Sequence, residues 1–244
     1  MGKEVLTRVG CAGWSIPKEY RYAYPPDGSQ LQHYAQRFPA VEINITFYRL
    51  PRPATFARWA QETPDSFLFA VKLPRQITHQ GRLKDLSLLD EFLERVGFLG
   101  EKLGPALVQL PPGLAFDPAV AERFFAAIEN RFNGYLACEP RHPSWFTEDA
   151  KRLMLDFRVA LVDADPPPVP GAEKPGGWPG LIYRRLHGSP RRYYSSYPEP
   201  YLQALARKLT SAVPQAGTWC IFNNTASGAA TRNALDLLSF LSSY

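Results

Sequence analysis

The feature that most constrains this 244-residue chain is the regular alternation of short apolar runs with segments of helical periodicity. Strand-like runs occur at 6–11, 40–44, 67–72, 105–110, 135–139, 158–163, 181–187 and 218–223. Strands that alternate with helices pair in parallel, because each helical crossover returns the chain to the same end of the sheet. Eight such units predict one domain, residues 1–244, folded as a TIM-type (β/α)8 barrel.

The connection after the sixth run breaks this alternation. Residues 165–171 and 174–180 contain Pro and Gly at a density that excludes a helix. The sequence therefore predicts an irregular loop there and seven major helices elsewhere. Asp117 and Thr147 are predicted as N-caps. The predicted helices lie at about 30–37, from Pro53, at about 85–98, from Pro118, after Thr147, at 199–212 and at 229–241.

Composition restricts the location and the partners. No apolar run approaches the ~20 residues that span a bilayer, so no membrane partner is predicted. The first residues lack the apolar stretch of a signal peptide, so a cytoplasmic location is expected. Cys11, Cys138 and Cys220 lie in strand-like runs without a C-x-x-C pair and are interpreted as buried thiols. The net charge of +5 mildly favours anionic partners.

The alternation of side chains within each run predicts which residues face the barrel interior. In 40–44, Val41 and Ile43 are assigned to the helices, so Glu42 and Asn44 face inward. The same argument, applied to the C-terminal ends of the later runs, adds Lys72, Gln109, Glu139, Asp163, Arg185, His187 and Asn223. Strands often end in polar residues because loops begin there. That tendency alone does not account for several charged side chains at one mouth, because buried charges are costly unless they are paired. Their convergence therefore indicates a functional pocket at this mouth.

Seven ordered motifs accompany these positions. They are Gly10-Cys11-Ala12-Gly13-Trp14-Ser15, Val41-Glu42-Ile43-Asn44 with Phe47-Tyr48, Phe69-Ala70-Val71-Lys72, Gln109-Leu110-Pro111-Pro112, Glu139-Pro140-Arg141-His142-Pro143-Ser144-Trp145, Arg185-Leu186-His187-Gly188 and Phe222-Asn223-Asn224. Together they resemble the YecE-like family, also called domain of unknown function 72, over nearly the whole chain. The resemblance implies a TIM-type barrel and no established activity. The chain departs from the family pattern at Cys11, Ala12, Pro140 and Thr225.

Several side chains at the mouth could carry chemistry. Glu42, Glu139 and Asp163 could act as general bases, bind a metal, or form a charge network with nearby Lys and Arg. Lys72 could be a counter-ion, an electrostatic stabiliser or a Schiff-base amine. His187 suits acid–base work or substrate hydrogen bonding, against the alternative of a core histidine.

Other residues are candidates for substrate binding. His142 could contact substrate or only fix the turn that follows it. The loops at 14–24 and 189–197 are rich in tyrosine and could stack a base or sugar or only cover the mouth. His33 and His79 are not assigned a role. The predicted binding residues are Trp14, Asn44, Tyr48, Arg75, Gln109, Arg141, His142, Trp145, Arg185, Tyr194, Asn223 and Asn224.

Two functional hypotheses follow. The first is an enzyme of hydrolase, phosphodiesterase or isomerase type that acts on a small anionic substrate, phosphorylated or nucleotide-like. The second is a nucleic-acid-binding protein or an endonuclease-IV-like phosphodiesterase. No H-x-x-x-H or H-E-x-x-H spacing and no nucleotide-cofactor motif occurs, although one divalent ion held by carboxylates is possible. The oligomeric state is not predicted.

Overall fold

The computed structural model describes residues 7–18, 20, 27–170, 172, 176–211 and 217–243. Strands and helices alternate through this part of the chain. Its strands are β1 (Thr7–Cys11), β2 (Ala40–Ile43), β3 (Leu68–Lys72), β4 (Leu103–Gln109), β5 (Leu136–Glu139), β6 (Val159–Leu161), β7 (Asp163–Asp165), β8 (Gly176–Gly177), β9 (Ile182–Leu186) and β10 (Thr218–Phe222). Its α-helices are α1 (Gln30–Ala35), α2 (Ile45–Tyr48), α3 (Pro53–Gln61), α4 (Leu89–Gly97), α5 (Pro118–Glu129), α6 (Glu148–Asp156), α7 (Glu199–Thr210) and α8 (Ala229–Leu241).

The strands form two sheets. One has the order β1-β10-β9-β7 and the other the order β2-β3-β4-β5-β6-β8. All of the strand pairs are parallel except β6 with β8. The two sheets meet at two places: Ala12 forms a parallel bridge to Glu42, and only Val162 separates β6 from β7. The predicted α/β class with parallel pairing is therefore confirmed.

Local signals in the sequence predicted several helix ends correctly. The Asp117 carboxylate accepts a hydrogen bond from the Val120 N–H at 3.2 Å, and α5 begins at Pro118 as predicted. The Thr147 hydroxyl accepts from the Ala150 N–H and caps α6. The third predicted helix begins later than expected, at Leu89, because the Asp85 carboxylate accepts from the Ser87 N–H in a turn.

The sixth strand was predicted as one run but is two short strands. β6 pairs with β5, whereas β7 pairs with β9, so the chain changes partner at Val162. Of the residues described between β7 and β9, none is helical, in agreement with the predicted loop; Gly171 and 173–175 lie outside the described residues. The short strand β8 within that segment was not predicted.

The hydrophobic core has two parts. The larger part packs the strands against the helices. The smaller part contains inward residues from both sheets, namely Ala40, Ala70, Leu107, Ala137, Ala160, Val162, Ala164, Leu181, Tyr183, Trp219 and Ile221. Alanines from several strands leave room for the Tyr183 and Trp219 rings, which stack at 6.1 Å between centroids. The predicted inward faces of β2, β3, β4, β5, β9 and β10 are confirmed by this cluster.

Burial accounts for two further features. All three cysteines are buried and free, as predicted, and burial raises the pKa of the Cys11 thiol to about 12. In the described part of the chain, no helix has the length and apolar character needed to cross a membrane.

A tyrosine hydroxyl connects β1 to β2 just before the Ala12–Glu42 bridge. Tyr34 of α1 is buried, and its hydroxyl accepts from the Cys11 N–H at 2.7 Å and donates to the Ala40 carbonyl at 3.0 Å. Only glycine fits beside this contact, because a Cβ at Gly10 would lie 2.2 Å from the Ala40 carbonyl oxygen.

The Tyr34→Phe variant should therefore be less stable by about 1–3 kcal/mol, since it leaves a buried N–H and a buried carbonyl without partners. The free energy of unfolding, measured by urea denaturation, tests this. Tyr135→Phe is the control, because that ring is 45% exposed. Equal stability of the two variants would contradict the assigned role of the Tyr34 hydroxyl.

Candidate functional site

Polar side chains gather where the parallel strands end, above the smaller core cluster. They occupy the last inward positions of strands from both sheets, and all are buried. The group consists of Glu42, Lys72, Gln109, Glu139, Arg185, His187 and Asn223. These seven residues, which we call the mouth cluster, were all among the predicted site residues. Their catalytic and binding roles stay predictions.

Arg185 is the centre of the mouth cluster and is 1% exposed. Its Nε and Nη2 donate to the two carboxylate oxygens of Glu42 at 3.0 and 2.7 Å, and its Nη1 donates to Glu139. The Tyr183 hydroxyl also donates to Glu42, at 2.9 Å. Arg185 belongs to one sheet and both glutamates belong to the other. This bidentate geometry is the strongest form of an Arg–carboxylate contact.

Glu139 is held ionised by its neighbours. Burial alone would raise the pKa of its carboxyl, but Arg185 and the other positive groups around it hold the pKa well below its usual value. Arg141 contributes through two bonds to Oε1, from Nε at 3.1 Å and from Nη2 at 2.9 Å. A carboxylate with such a low pKa is a poor general base at neutral pH. The expected role of Glu139 as a base is therefore not the one that this geometry favours.

His187 is 2% exposed and neutral at pH 7. Burial lowers the pKa of its ring despite the opposing charge of Glu139. The Asn223 amide donates to Nδ1 at 3.0 Å, so the neutral ring carries its proton on Nε2. That Nε2 lies 3.3 Å from Glu139 Oε1, and this contact influences the pKa of both groups although its angle falls short of a full hydrogen bond. Within the described residues, His187 thus presents a donor that Glu139 engages only weakly.

Lys72 ends β3 and is 8% exposed. Its Nζ lies over the Phe47 ring, 4.0 Å from the centroid. No described carboxylate oxygen lies within 4.0 Å of this nitrogen. Burial lowers the pKa of the amine to about 8, and Arg185 and Arg141 add to this effect, while Glu42 and Glu139 oppose it. A simple ion pair, the counter-ion role considered above, does not describe this lysine.

His79 reaches the same place and was missed by the sequence analysis. It lies on a single π-helical turn, Gln76–Gln80, directly after β3, and its ring meets Phe47 edge to face at 4.9 Å. Burial and the charges of Lys72 and Arg141 lower the pKa of the ring to about 4. π-helical turns often mark functional positions, but a five-residue turn leaves no periodicity that would reveal it in a sequence.

The loop after β9 covers one side of the cluster. Tyr193 has a positive φ of 69°, and its ring lies edge to face with His187 at 5.8 Å. The predicted binding residue Tyr194 is 45% exposed and carries the Arg191 guanidinium over its ring at 3.9 Å. Asn224 is fully buried and donates to the Ser195 carbonyl at 2.9 Å, so it ties this loop to the end of β10.

Asp163 is not part of the mouth cluster, and the prediction that it faces inward is wrong. Its carboxylate pairs with Arg184 and lies 3.9 Å from Lys208 Nζ of α7, on the helix side of the sheet. The inward residues of this segment are Val162 and Ala164, which belong to the smaller core cluster. The sequence placed Asp163 at the end of one regular strand, whereas it begins β7.

The other predicted binding residues lie outside the mouth cluster or at its edge. Trp145 is 1% exposed and donates to the Leu114 carbonyl at 2.9 Å, which makes it a core residue. His142 accepts from the Ser144 N–H at 3.2 Å, which supports the turn-fixing alternative. Trp14 packs on Trp59. Tyr48 and Arg75 are exposed. Asn44 has a buried Oδ1 without a partner among the described residues.

Metal binding by the mouth cluster finds little support. In the described ranges, no group of three or more His, Cys, Asp and Glu side chains is arranged to hold an ion. The oxygens of Glu42 and Glu139 are already bound by guanidinium and phenol groups.

A separate cavity of about 470 Å³ lies at the opposite ends of the strands. Its lining includes Tyr135 and Trp178, whose rings stack 5.8 Å apart, and Leu136 at the start of β5. Glu139, at the end of β5, belongs to the mouth cluster. This cavity therefore lies away from the mouth cluster.

The fold and the cluster define an α/β protein with parallel strands and a buried, charged group of side chains at their C-terminal ends. Residues 8–244 match the model of the family described as "Protein of unknown function DUF72", and the chain belongs to this family. The resemblance stated from the motifs is thereby confirmed. The family's description states no activity.

Similar proteins agree with this assignment. UPF0759 protein YecE of Escherichia coli K12 is 34% identical over 152 residues, which cover 61% of this chain and 53% of YecE. UPF0759 protein YunF of Bacillus subtilis 168 is 30% identical over 164 residues, covering 62% of this chain and 56% of YunF. The matched region therefore spans about half the length of these relatives.

Solved structures show the same fold. A DUF72 family protein from Enterococcus faecalis V583 has a TM-score of 0.80 at 24% identity, covering 97% of this chain and 96% of that one. A DUF72 family protein from Thermotoga maritima has a TM-score of 0.74 at 26% identity, covering 97% and 99%. A methyltransferase from Methanosarcina mazei, with a TM-score of 0.53 and 8% identity, covers 98% of this chain and 94% of that chain and is similar in fold alone.

Replacing Arg185 by Met should destabilise the protein by about 3–5 kcal/mol at pH 7, because it leaves buried carboxylates without their main counter-charge. In the wild type, the low pKa of Glu139 contributes stability that is present above its ordinary pKa of 4.5 and is lost as the pH falls below it. In the Arg185→Met variant, the direction of the Glu139 pKa shift should reverse. Burial then raises that pKa, so the loss of stability should shrink as the pH falls from about 7 to about 5.

Denaturant unfolding at both pH values measures this difference. Arg131→Met is the control, because Arg131 pairs with Asp90 at 2.6 Å on the surface and should contribute little. A loss of stability in Arg185→Met that does not change with pH, or that merely equals the loss in the control, would contradict the assigned role of Arg185.

Proposed function

We propose that this protein is an enzyme that binds and converts a small anionic substrate, phosphorylated or nucleotide-like, at the mouth cluster. The observation that carries the proposal is the Lys72 ammonium, which is 8% exposed and has no described carboxylate oxygen within 4.0 Å. Burying a charge is costly unless an opposite charge accompanies it. An anion from solution would supply that charge.

The balance of charges supports this proposal. Arg185 is matched by Glu42, and Glu139 is shared between Arg185 and Arg141. With Lys72 protonated, three cations face two carboxylates, and the low pKa values of His187 and His79 leave both rings neutral at pH 7. The mouth cluster together with Arg141 thus has one positive charge in excess, in a place that water reaches poorly. Such sites attract anions more strongly than exposed basic residues do.

The contacts suggest a division of roles. Lys72 and Arg141 would hold the anionic group, since Lys72 has no carboxylate partner and Arg141 bonds only one oxygen of Glu139. His187 would donate from Nε2 to a substrate oxygen and assist proton transfer. Glu42 and Glu139 would orient Arg185 and stabilise its charge, which replaces the general-base role expected from the sequence.

We also propose that the two sheets close into one TIM-type (β/α)8 barrel. The Ala12–Glu42 bridge and the one-residue break at Val162 are the two points at which the sheets adjoin. The smaller core cluster, with residues from both sheets, supports this closure. In such barrels the active site lies at the C-terminal ends of the strands, where the mouth cluster lies.

Binding of inorganic phosphate and of AMP tests the anion site. Both should raise the melting temperature of the wild type, and Lys72→Met should weaken phosphate binding by about tenfold or more, as measured by calorimetry. Lys84→Met is the control, because Lys84 is exposed and should bind phosphate like the wild type.

Two outcomes would oppose the proposal. One is the absence of any phosphate or AMP effect on the wild type. The other is retention of duplex DNA that falls steeply with salt but is unaffected by Lys72→Met, which would favour the nucleic-acid hypothesis instead.

A further inference from the structure

We infer that Lys72 is a nucleophile whose Nζ forms a Schiff base with an aldehyde or ketone group of the anionic substrate. The inference rests on the proposed function and deepens it, because it defines the substrate as a carbonyl compound that carries an anionic group. The observation behind it is the difference between the surroundings of two largely buried lysines, Lys102 and Lys72.

Lys102 shows what a structural lysine looks like in this protein. Its side chain is 13% exposed, and its Nζ donates to the Ala60 and Thr63 carbonyl oxygens, each at 2.6 Å. It also lies 3.9 Å from an Asp65 oxygen. The Thr63 hydroxyl oxygen lies 3.4 Å from the same nitrogen, so oxygen acceptors surround this ammonium and satisfy its donors.

Lys72 has none of these partners. At 8% exposure it is at least as buried, yet its Nζ donates to no oxygen among the described residues and rests on the Phe47 ring. The nearest carboxylates, Glu42 and Glu139, are bound by Arg185, which leaves Lys72 beside a second cation. This environment makes the ammonium form less favourable than it is for an exposed lysine. Desolvation together with a neighbouring cation is the usual means of activating a lysine nucleophile.

The titration of Lys72 agrees with this geometry. Burial, Arg185 and Arg141 lower the pKa of the amine to about 8, despite the opposing charges of Glu42 and Glu139. About half of the lysine is then neutral at pH 8, whereas an exposed lysine of ordinary pKa, about 10.4, is almost entirely charged.

Two histidines whose pKa values are lowered lie at or beside the mouth cluster and differ in the position of the ring proton. The Thr78 hydroxyl donates to the Pro74 carbonyl at 3.2 Å, so it accepts from His79 Nδ1–H at 2.9 Å and leaves the Nε2 lone pair of His79 unused by this contact. His187 instead has its proton on Nε2. One ring can thus accept a hydrogen bond and the other can donate one.

The step balances without a redox partner. The neutral Nζ attacks the carbonyl carbon, and one of its two protons passes to the carbonyl oxygen, which His187 hydrogen-bonds, to give a carbinolamine. The second proton of the nitrogen passes to the carbinolamine hydroxyl, which leaves as water. The carbon–nitrogen double bond forms as the carbon–oxygen bond breaks. One molecule of water is released for each Schiff base, and no atom is oxidised or reduced.

Reductive trapping tests the inference. The wild type is incubated at pH 7.5 with dihydroxyacetone phosphate and sodium cyanoborohydride, and the modified lysines are located by peptide mass mapping. We expect Lys72 to be labelled at least tenfold more than any other lysine, with labelling reduced by inorganic phosphate. The other lysines of the chain serve as internal references. Labelling by neutral dihydroxyacetone should be much weaker.

Labelling should also follow the protonation of Lys72. The rate at Lys72 should rise as the pH increases from 6 to 9 with a midpoint near its pKa of about 8. The labelling rate of exposed lysines should keep increasing with pH towards their ordinary pKa of about 10.4. A Lys72 rate that rises in parallel with that of the exposed Lys84 would contradict an activated amine.

Two variants separate this inference from the proposed function. Lys72→Arg keeps the positive charge but cannot form a Schiff base, so it should lose the trapped adduct and still bind phosphate. Lys84→Arg should resemble the wild type in both measurements. If phosphate binds but Lys72 is labelled no more than Lys84, the Schiff-base inference is wrong and the anion site stands. If phosphate does not bind and neutral dihydroxyacetone labels Lys72 equally well, the amine is reactive and the anion site is wrong.

Discussion

The buried guanidinium of Arg185 binds Glu42 and Glu139 at once, and much of the site depends on this arrangement. Arg185 comes from one sheet and both carboxylates come from the other, so the contact joins the two sheets at their C-terminal edge. A guanidinium presents five N–H donors in a rigid plane, which allows it to satisfy two carboxylates that a lysine ammonium would satisfy less well. Removing any partner would leave a buried charge, so the three groups must be considered together.

The inward face of most strands could be predicted from the sequence because the alternation there is strict. Glu42 lies between Val41 and Ile43, and this pattern is enough to assign its face without knowing any neighbour. The same reasoning failed at Asp163, because it assumes an unbroken strand. The change of pairing partner at Val162 depends on the neighbouring strands β5 and β9, which the local sequence does not describe.

The contact partners of these side chains are harder to predict from the sequence than their positions on the strands. The sequence brought Lys72, Glu42 and Glu139 to one mouth, and a lysine beside two glutamates is most simply interpreted as an ion pair. Which cation binds those glutamates depends on reach and donor geometry in three dimensions. His79 was missed for a related reason, since a π-helical turn after β3 folds it back over Phe47. Its neighbours in the sequence carry no sign of that contact.

The contrast between Lys72 and Lys102 shows why burial by itself does not identify a functional lysine. Both side chains are largely withdrawn from water, yet backbone oxygens surround Lys102, whereas Lys72 faces an aromatic ring and other cations. The difference arises at Arg185, because its hold on both carboxylates removes the acceptors that would otherwise pair with Lys72. The ion pairs that stabilise the mouth cluster are thus also what leaves one amine without a counter-charge. A substrate that carries both an anionic group and a carbonyl group would supply a counter-charge for the ammonium form of Lys72 and an electrophile for its neutral form.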